Sequence, residues 1–412
     1  MRTKIILIIT MISLIVIALF NTELVPLRRE ISDMEIILIA GLDKVEDEYM
    51  ITFIKRNQSS NGSSGDGEDS SGGSQVISMT ADSYSVALRQ LQTTTDKFTT
   101  ASHIKYFIVG QKTLEEDFEH ITDAIARGYQ TRLNSKIYMA KEMTAKEFLE
   151  KASKLEFKIE EKLENMESNF WSKSSYVDTD ILDFGHISFS DTGEGLIDTL
   201  EFYSTSNEEK KDNMESSTGG EEKDNNTEIS FGYGGAAIVS DCKVVGLLSK
   251  EQTTIANYFL KDNNVNVITI YDKENFVVFR IERLNTDIDF YFDEKDKMNK
   301  LKINVTFKAN YEETNATSPI FTENMIKHFE QKLNDEVEKQ IMDMVALEKK
   351  RNIDFLYIKE KLEYSNPYRY EKNKTDFMSL LNKCKIEVIS EGRIQTTYDI
   401  VESNKDQEGK SK

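Results

Sequence analysis

Apolar residues fall into one unbroken block and many short periodic runs. The block is Ile5 to Phe20, with only Thr10 and Ser13 interrupting it. Beyond it, alternation at period two marks strands, and steps of three or four mark helices. Residues 36–40 and 49–54 read as a strand pair, with Gly41-Leu42-Asp43 able to begin the reversal. A strand resumes at 76–79. Helical patterns follow over 83–94 and 113–128, with a strand over 103–109 between them, and 135–140 reads as another strand. Thr144 and Glu147 have the spacing of a capping box for a helix to Lys154, and 157–169 looks helical. Further on, Gly235 to Val239 and Val244 to Leu248 flank a hairpin-length Ser240-Asp241-Cys242-Lys243. A short helix is expected from Lys250 to Leu260. Strands are expected over 265–270, 276–283, 287–292 and 301–309. The longest helix is predicted from Thr322 to Arg351. Its apolar stripe is Ile326, Phe329, Leu333, Val337, Ile341 and Val345, with Glu338 on the opposite, polar face. A helix near 376–382 and a strand at 386–389 close the pattern.

Two stretches break the periodicity. Residues 57–75 are mostly Ser and Gly with no apolar residue, so they cannot bury enough surface to order themselves. Residues 204–228 are polar and charged with one Met, and read as a linker or surface loop. The expected fold is α+β and multi-domain, with mixed or antiparallel sheets and packed helices, preceded by one N-terminal hydrophobic helix. The expected division is an anchor or signal over 1–24 and an N-terminal α+β domain over 28–203, with the disordered insert 57–75. After the linker 204–228 come a middle domain over 229–284 and a C-terminal domain over 285–402.

The N-terminal block carries Ile5, Leu7, Ile12, Leu14, Val16 and Phe20 as its membrane-facing positions. As a helix it spans about 24 Å against roughly 30 Å of bilayer hydrocarbon. Arg2 and Lys4 precede it, so the positive end is expected to stay in the cytoplasm and the remainder to be exported. A cleaved signal and an uncleaved anchor both fit. The lack of a small-x-small cleavage site after Phe20 favours the anchor.

Composition narrows the function classes. The 412 residues carry a net charge of −20, which disfavours non-specific binding to nucleic acid or anionic lipid. Attachment to a membrane must then come from the apolar block. Two cysteines, Cys242 and Cys384, do not make a disulfide scaffold. The histidines His103, His120, His186 and His328 are scattered without metal-ligand spacing. Asp178, Asp180, Asp183 and Asp191 are acidic enough for calcium but lack the EF-hand offsets, so they read as a solvated loop. Gly232-Tyr233-Gly234-Gly235 lacks the strand–helix context of a phosphate loop and reads as a flexible turn. No catalytic, cofactor-binding or metal residue is assigned, and no enzyme activity is expected.

Three groups of residues carry a resemblance. Arg28-Arg29-Glu30-Ile31, an apolar strand and Gly41-Leu42-Asp43-Lys44 come first. The Ala-rich strand, the turn with Lys243, then Val245, Gly246, Leu248 and a helix opened by Glu251 come second. The long helix followed by Asp354-Phe355, with Gly392-Arg393 in the closing strands, comes third. In this order they resemble the GerC-type family, the C subunits of spore germinant receptors. The family-motif positions are Arg29, Glu30, Gly41, Asp43, Lys243, Gly246 and Glu251. The resemblance implies a non-enzymatic protein on the extracytoplasmic side of the spore inner membrane. Its implied partners are a polytopic A subunit and a transporter-like B subunit, with no nucleic acid, and its implied role is receptor assembly and germination signalling. One departure stands out. The family opens with a lipid-modified Cys, and here Val25, Pro26 and Leu27 occupy the Cys-Trp-Asp positions. Without a thiol no thioether lipid can form, so the apolar block would be the anchor. The competing expectation is a membrane-anchored extracytoplasmic solute-binding protein, which should show two similar lobes around a cleft.

Overall fold

The computed structural model describes residues 4–6, 10–13, 34–55, 75–95, 97–128, 131–155, 157–169, 174–190, 193–205, 228–262, 264–272, 275–315 and 322–395. It contains two sheets with helices packed on both, the expected α+β architecture.

The larger sheet is built from β1 (Met34–Val45), β2 (Glu48–Lys55), β3 (Gln75–Ala81), β4 (Phe98–Thr100), β5 (Tyr106–Gly110), β6 (Lys136–Ala140), β7 (Gly195–Thr205), β8 (Glu228–Ser240) and β9 (Lys243–Leu248). Its main order is β3-β2-β1-β5-β6-β7-β8-β9, with β4 paired to β1. Strands β1, β5, β6 and β7 run parallel. Antiparallel pairs flank them on both sides. A parallel centre needs helical crossovers. They are α1 (Tyr84–Thr94), α2 (Gln111–Glu116), α3 (Phe118–Ala126), α4 (Ala145–Ala152), α5 (Ile159–Ser168) and α6 (Ile181–Phe189). Side chains alternate across the strands. Phe107 and Val109 enter the core formed with Phe118 and Phe184, while Tyr106 and Ile108 enter the core formed with Phe148 and Leu163.

The second sheet, in order β10-β11-β12-β13, uses Asn264–Asp272, Asn275–Phe292, Met298–Thr314 and Lys385–Gln395. It is antiparallel except for the parallel β12–β13 pair. Its helices are α7 (Lys250–Leu260), α8 (Glu323–Arg351), α9 (Ile358–Ser365), α10 (Pro367–Asn373) and α11 (Phe377–Lys383). Helix α8 packs on it through Phe329, Leu333, Val337, Ile341 and Val345, in one core with Phe279, Ile281, Leu301 and Ile303. Ile326, the first residue of the expected stripe, is only partly buried.

Several expectations change. The strand pairing crosses residues 204–228: β7 and β8 form a hairpin with Thr205 opposite Glu228. The stretch expected as a middle domain therefore divides. β8 and β9 join the first sheet, and β10 and most of β11 join the second. Leu196, Ala236, Ile238 and Leu248 from the first sheet enter the same core as α8, so the two sheets share buried surface. Residues 206–227, and 57–74 of the earlier insert, lie outside the described residues; Gln75 opens β3.

The expected helix over 113–128 is two helices, α2 and α3, broken at Asp117, whose φ of −146° is not helical. The expected strands 276–283 and 287–292 are one strand, β11, whose register shifts between Glu282 and Asn285 around Arg283 at φ 52°. Gly41 and Asp43 do not begin a reversal; β1 continues through them, and the turn falls at Glu46, with φ 57°. Gly232 to Gly235 is not a flexible turn but part of β8. Gly235 sits at φ 101°, and a Cβ there would lie 2.1 Å from the Leu248 carbonyl oxygen, so glycine permits a close strand approach. Asp180 and Asp183 are not a solvated loop. They form a reciprocal capping box at the start of α6, a helix the pattern did not reveal. Asp191 lies outside the described residues.

Candidate functional site

The family-motif positions fall into two separate structural joints. At the first, Asp43 on β1 is buried and accepts hydrogen bonds from the backbone N–H groups of Ala145 (2.7 Å) and Lys146 (2.9 Å), the opening of α4. A carboxylate there satisfies orphan helix donors and complements the dipole. Burial still raises its pKa, against those two hydrogen bonds. Gly41 lets the helix approach: a Cβ at this position would lie 2.7 Å from Leu149 Cδ1 and 3.2 Å from Ala145 Cβ. At the second joint, Gly246 on β9 leaves room for the Arg351 guanidinium at the end of α8, since a Cβ would lie 2.4 Å from Nη1. Glu251, in the first turn of α7, is exposed and accepts from Ser249 Oγ at 2.7 Å. Lys243 is exposed beside the two-residue turn Asp241-Cys242, whose φ values of 51° and 52° are those of a hairpin turn. Strands β5, β6, β7 and β8 separate the two joints, so these residues do not form one site. Arg29 and Glu30 lie outside the described residues. Of the anchor positions, Ile5 and Ile12 are in short exposed helical segments; Leu7, Leu14, Val16 and Phe20 lie outside the described residues.

A concavity lies elsewhere, where α6 of the first sheet faces α7, α9 and the start of β10. It is a cleft of about 1420 Å³. Its floor is the segment 174–180, which is held from three sides. Fully buried Asp198 on β7 accepts from Val177 N (2.5 Å), Asp178 N (2.8 Å) and Thr179 N (3.1 Å). Burial pushes its pKa up to about 6, against those three hydrogen bonds. Asn257 Nδ2 on α7 donates to the carbonyls of Ser174 and Tyr176. Lys261 Nζ donates to the Tyr176 carbonyl at 2.6 Å and lies over the Tyr176 ring. The Tyr176 ring in turn stacks on Tyr233, centroids 4.6 Å apart. Asp178 takes φ 75° and pairs with Lys136 at 2.7 Å, which fixes the turn into α6. Helix α9, which forms the far wall, is opened by buried Asp354, which accepts from Ile358 N and Lys359 N and has its pKa pushed up to about 6 by burial.

None of the cleft-forming residues was singled out as a site from sequence, apart from the acids Asp178, Asp180 and Asp183 and the histidine His186. The signal for α6 was present as Asp180-x-x-Asp183, a capping box followed by Phe184 and Ile187 at helical spacing. Asp198 gives no local signal, because its donors lie about twenty residues earlier in the chain. Among the described residues no group of three or more His, Cys, Asp or Glu is arranged to hold a metal. Cys242 and Cys384 are both free, and burial pushes the Cys384 thiol up to about 11.

Comparison with protein families matches residues 28–201 to the spore germination protein N-terminal domain. Residues 234–398 match the spore germination B3/GerAC-like C-terminal domain. The two matches lie in that order and together take in most of the chain. Among solved structures, the crystal structure of the GerBC protein is similar, with a TM-score of 0.51 and 14% identity. The alignment covers 86% of this chain and 96% of that one. At that identity the likeness establishes a common fold. Comparison with curated proteins gave no match.

Proposed function

The chain belongs to the spore germination GerAC family, and from that membership we propose that it is the non-enzymatic C subunit of a nutrient germinant receptor. In this reading it assembles with a polytopic A subunit and a transporter-like B subunit and supports nutrient-triggered signalling at the spore inner membrane. The observation that carries the reading is the ordered pair of family matches over the folded body. The block Ile5 to Phe20 is proposed as the attachment to the membrane, uncleaved and without thioether lipid, with the body on the extracytoplasmic side. Among the described residues no helix is long and apolar enough to cross a membrane, and most of that block lies outside them.

The test is affinity purification of the full chain from spore membranes, with mass spectrometry of what accompanies it. Both A and B subunits are expected. A chain that purifies without either, from spores that germinate normally when it is deleted, would overturn the reading. The cleft favours a second reading, an anchored solute-binding protein. The unlike halves weigh against it, since a nine-stranded mixed sheet faces a four-stranded one of different order. A thermal shift of the purified chain with a small solute, together with failure to recover A or B, would put the second reading first.

A further inference from the structure

We propose that the cleft between α6 and α9 is a docking groove for a cationic amphipathic helix of a partner protein. The proposal rests on the receptor reading and names the chemistry of the contact.

Helix α6 is apolar on two faces. Ile181, Phe184 and Ile187 are buried, and the Phe118 and Phe184 rings sit 4.5 Å apart. Leu182 and Phe189 point the other way, 62% and 67% exposed. Between those faces Asp183 and His186 are exposed, so the outer apolar side chains form a stripe and not a whole surface. The outer stripe Leu182-Gly185-Phe189 has steps of three and four, and its two large side chains are exposed among the described residues while Gly185 itself is buried. Gly185 makes a notch in that stripe, since a Cβ there would meet only the Phe189 ring, at 3.8 Å. Across the cleft, Tyr364 on α9 is 79% exposed. Large exposed apolar and aromatic side chains around a concavity mark an interaction site. Two large apolar side chains two helical turns apart on one wall suit the apolar face of an amphipathic helix laid in the groove.

Size and charge narrow the occupant. The cleft, at about 1420 Å³, is larger than the roughly 300–1,000 Å³ usual for small-molecule pockets. Its lining carries Asp178, Asp183, Asp262 and Glu360 against Lys261 and Lys361. Asp178 is neutralised by Lys136, and Lys261 is turned onto Tyr176. That leaves three carboxylates without an ion pair among the described residues, facing one ammonium, on a chain of net charge −20. Such a surface attracts a basic partner and repels an acidic one.

The experiment places a photo-crosslinking benzoylphenylalanine at Phe189 in the full chain and sequences the crosslinked peptide from spore membranes. The expected product is a Lys- or Arg-rich helical segment of the A or B subunit. Its yield should fall at least tenfold in Leu182→Ala and in Asp262→Lys/Glu360→Lys. Tyr271→Ala, remote from the cleft, should leave the yield unchanged. Thermal melts of the variants confirm folding, and the substituted side chains at 182 and 189 are exposed, so the melts should match the parent. A crosslink to lipid, to a second copy of this chain, to an acidic segment, or none at all overturns the proposal. If A and B still co-purify in any of those cases, the receptor reading stands and the groove assignment alone fails. If neither subunit co-purifies, the receptor reading fails on its own. The groove is then tested with two fluorescent eleven-residue helical peptides, one of Leu and Lys and one of Leu and Glu. Tighter binding of the Leu/Lys peptide, weakened tenfold by Asp262→Lys/Glu360→Lys, supports the groove. Equal binding of the two, or no effect of the variants, overturns it.

Discussion

The two sheets hold their helices in different ways. The first sheet fixes α4 at its end, in addition to packing Phe148 and Leu149 into a core. One buried carboxylate, Asp43, takes two N–H groups of the opening turn, and Gly41 lets the helix touch the strand. The second sheet holds α8 along its length, through an apolar stripe repeated every three or four residues. The end contact depends on two residues that sit within three positions of each other. Lengthwise docking spreads its contacts over more than four turns. The first is sensitive to hydrogen-bond chemistry, and the second to volume.

The comparison breaks most visibly at Leu333, in the middle of the α8 stripe and 1% exposed. Leu333→Ala is expected to cost about 2–5 kcal/mol, by lost transfer energy plus the cavity left behind. Urea unfolding followed by hydrogen exchange should show the second sheet and α8 lose protection first. If Leu333→Ala unfolds like the parent, the stripe is not core, and lengthwise docking is the wrong description of α8.

Next comes the pH dependence of the buried point anchors. Asp198 is held near 6 in the folded chain, against roughly 3.9 for an ordinary aspartate. The folded state therefore binds this proton more tightly than the unfolded state. Its contribution is fully present below pH 4, falls as pH rises from about 4 to about 6, and is flat above. The fall is on the order of 3 kcal/mol. Glu201, Glu251 and Glu387 are shifted down by their partners and act in the opposite sense, losing stability as pH falls through their lowered values. Unfolding free energy measured from pH 4 to pH 7 should fall less steeply in Asp198→Asn, the remaining fall coming from Asp354, which burial also pushes up to about 6. The variant should also be less stable overall, because an amide cannot accept three N–H bonds as a carboxylate does. An unchanged slope would remove Asp198 as the titrating group.

Asp43→Ala follows, at about 1–3 kcal/mol for leaving the Ala145 and Lys146 N–H groups without their acceptor. Gly41→Ala is expected to cost about the same, from the contact with Leu149. The two should not add, because both act on one junction. A double-mutant cycle by thermal melting checks this. Full additivity would mean that the strand glycine and the carboxylate hold different things.

The same contrast decides what could be read from sequence. Helix α8, the capping box at Thr144 and Glu147, and α7 from Lys250 to Leu260 were all legible, because periodicity and caps are local. The Gly41-x-Asp43 pair was visible as a motif, but its partner helix starts about a hundred residues later, so its role was not. The sheet pairing across 204–228 was hidden for a related reason. A polar insert looks the same whether it links two domains or closes a hairpin. The cleft was least legible of all. Its floor depends on Asp198, Asn257 and Lys261, brought together by β7 and by α7 with its C-terminal cap.

The smallest expected change in stability concerns the polar side of α8, and here pattern reading alone misleads. Glu338 lies opposite the apolar stripe and looks free to change. In the structure its Oε1 accepts from Ser390 N at 2.9 Å. One turn earlier, Asn334 Oδ1 accepts from Gly392 N at 2.6 Å and from Ser390 Oγ at 2.8 Å. One turn earlier again, Glu330 Oε1 accepts from Ile394 N at 3.0 Å. Residues at i, i+4 and i+8 of the helix thus meet alternate N–H groups of β13, the edge strand of the second sheet. An uncovered edge is a template for pairing with another chain, and covering it with a helix removes the template. Glu338→Lys is therefore expected to cost about 0.5–1.5 kcal/mol, the net worth of one such hydrogen bond. Glu338→Gln, which keeps an acceptor, should cost less. The informative variant is Glu330→Ala/Asn334→Ala/Glu338→Ala. Because the apolar stripe still holds α8 in place, the triple variant should stay folded with a modestly lower melting temperature. Sedimentation of the folded protein at rising concentration should then show self-association that the parent lacks. If the triple variant stays monomeric, β13 is protected by α8 being in the way, and the three hydrogen bonds contribute only stability. If it associates, the lengthwise helix has a second task that the end-on helix does not, and the polar stripe performs it.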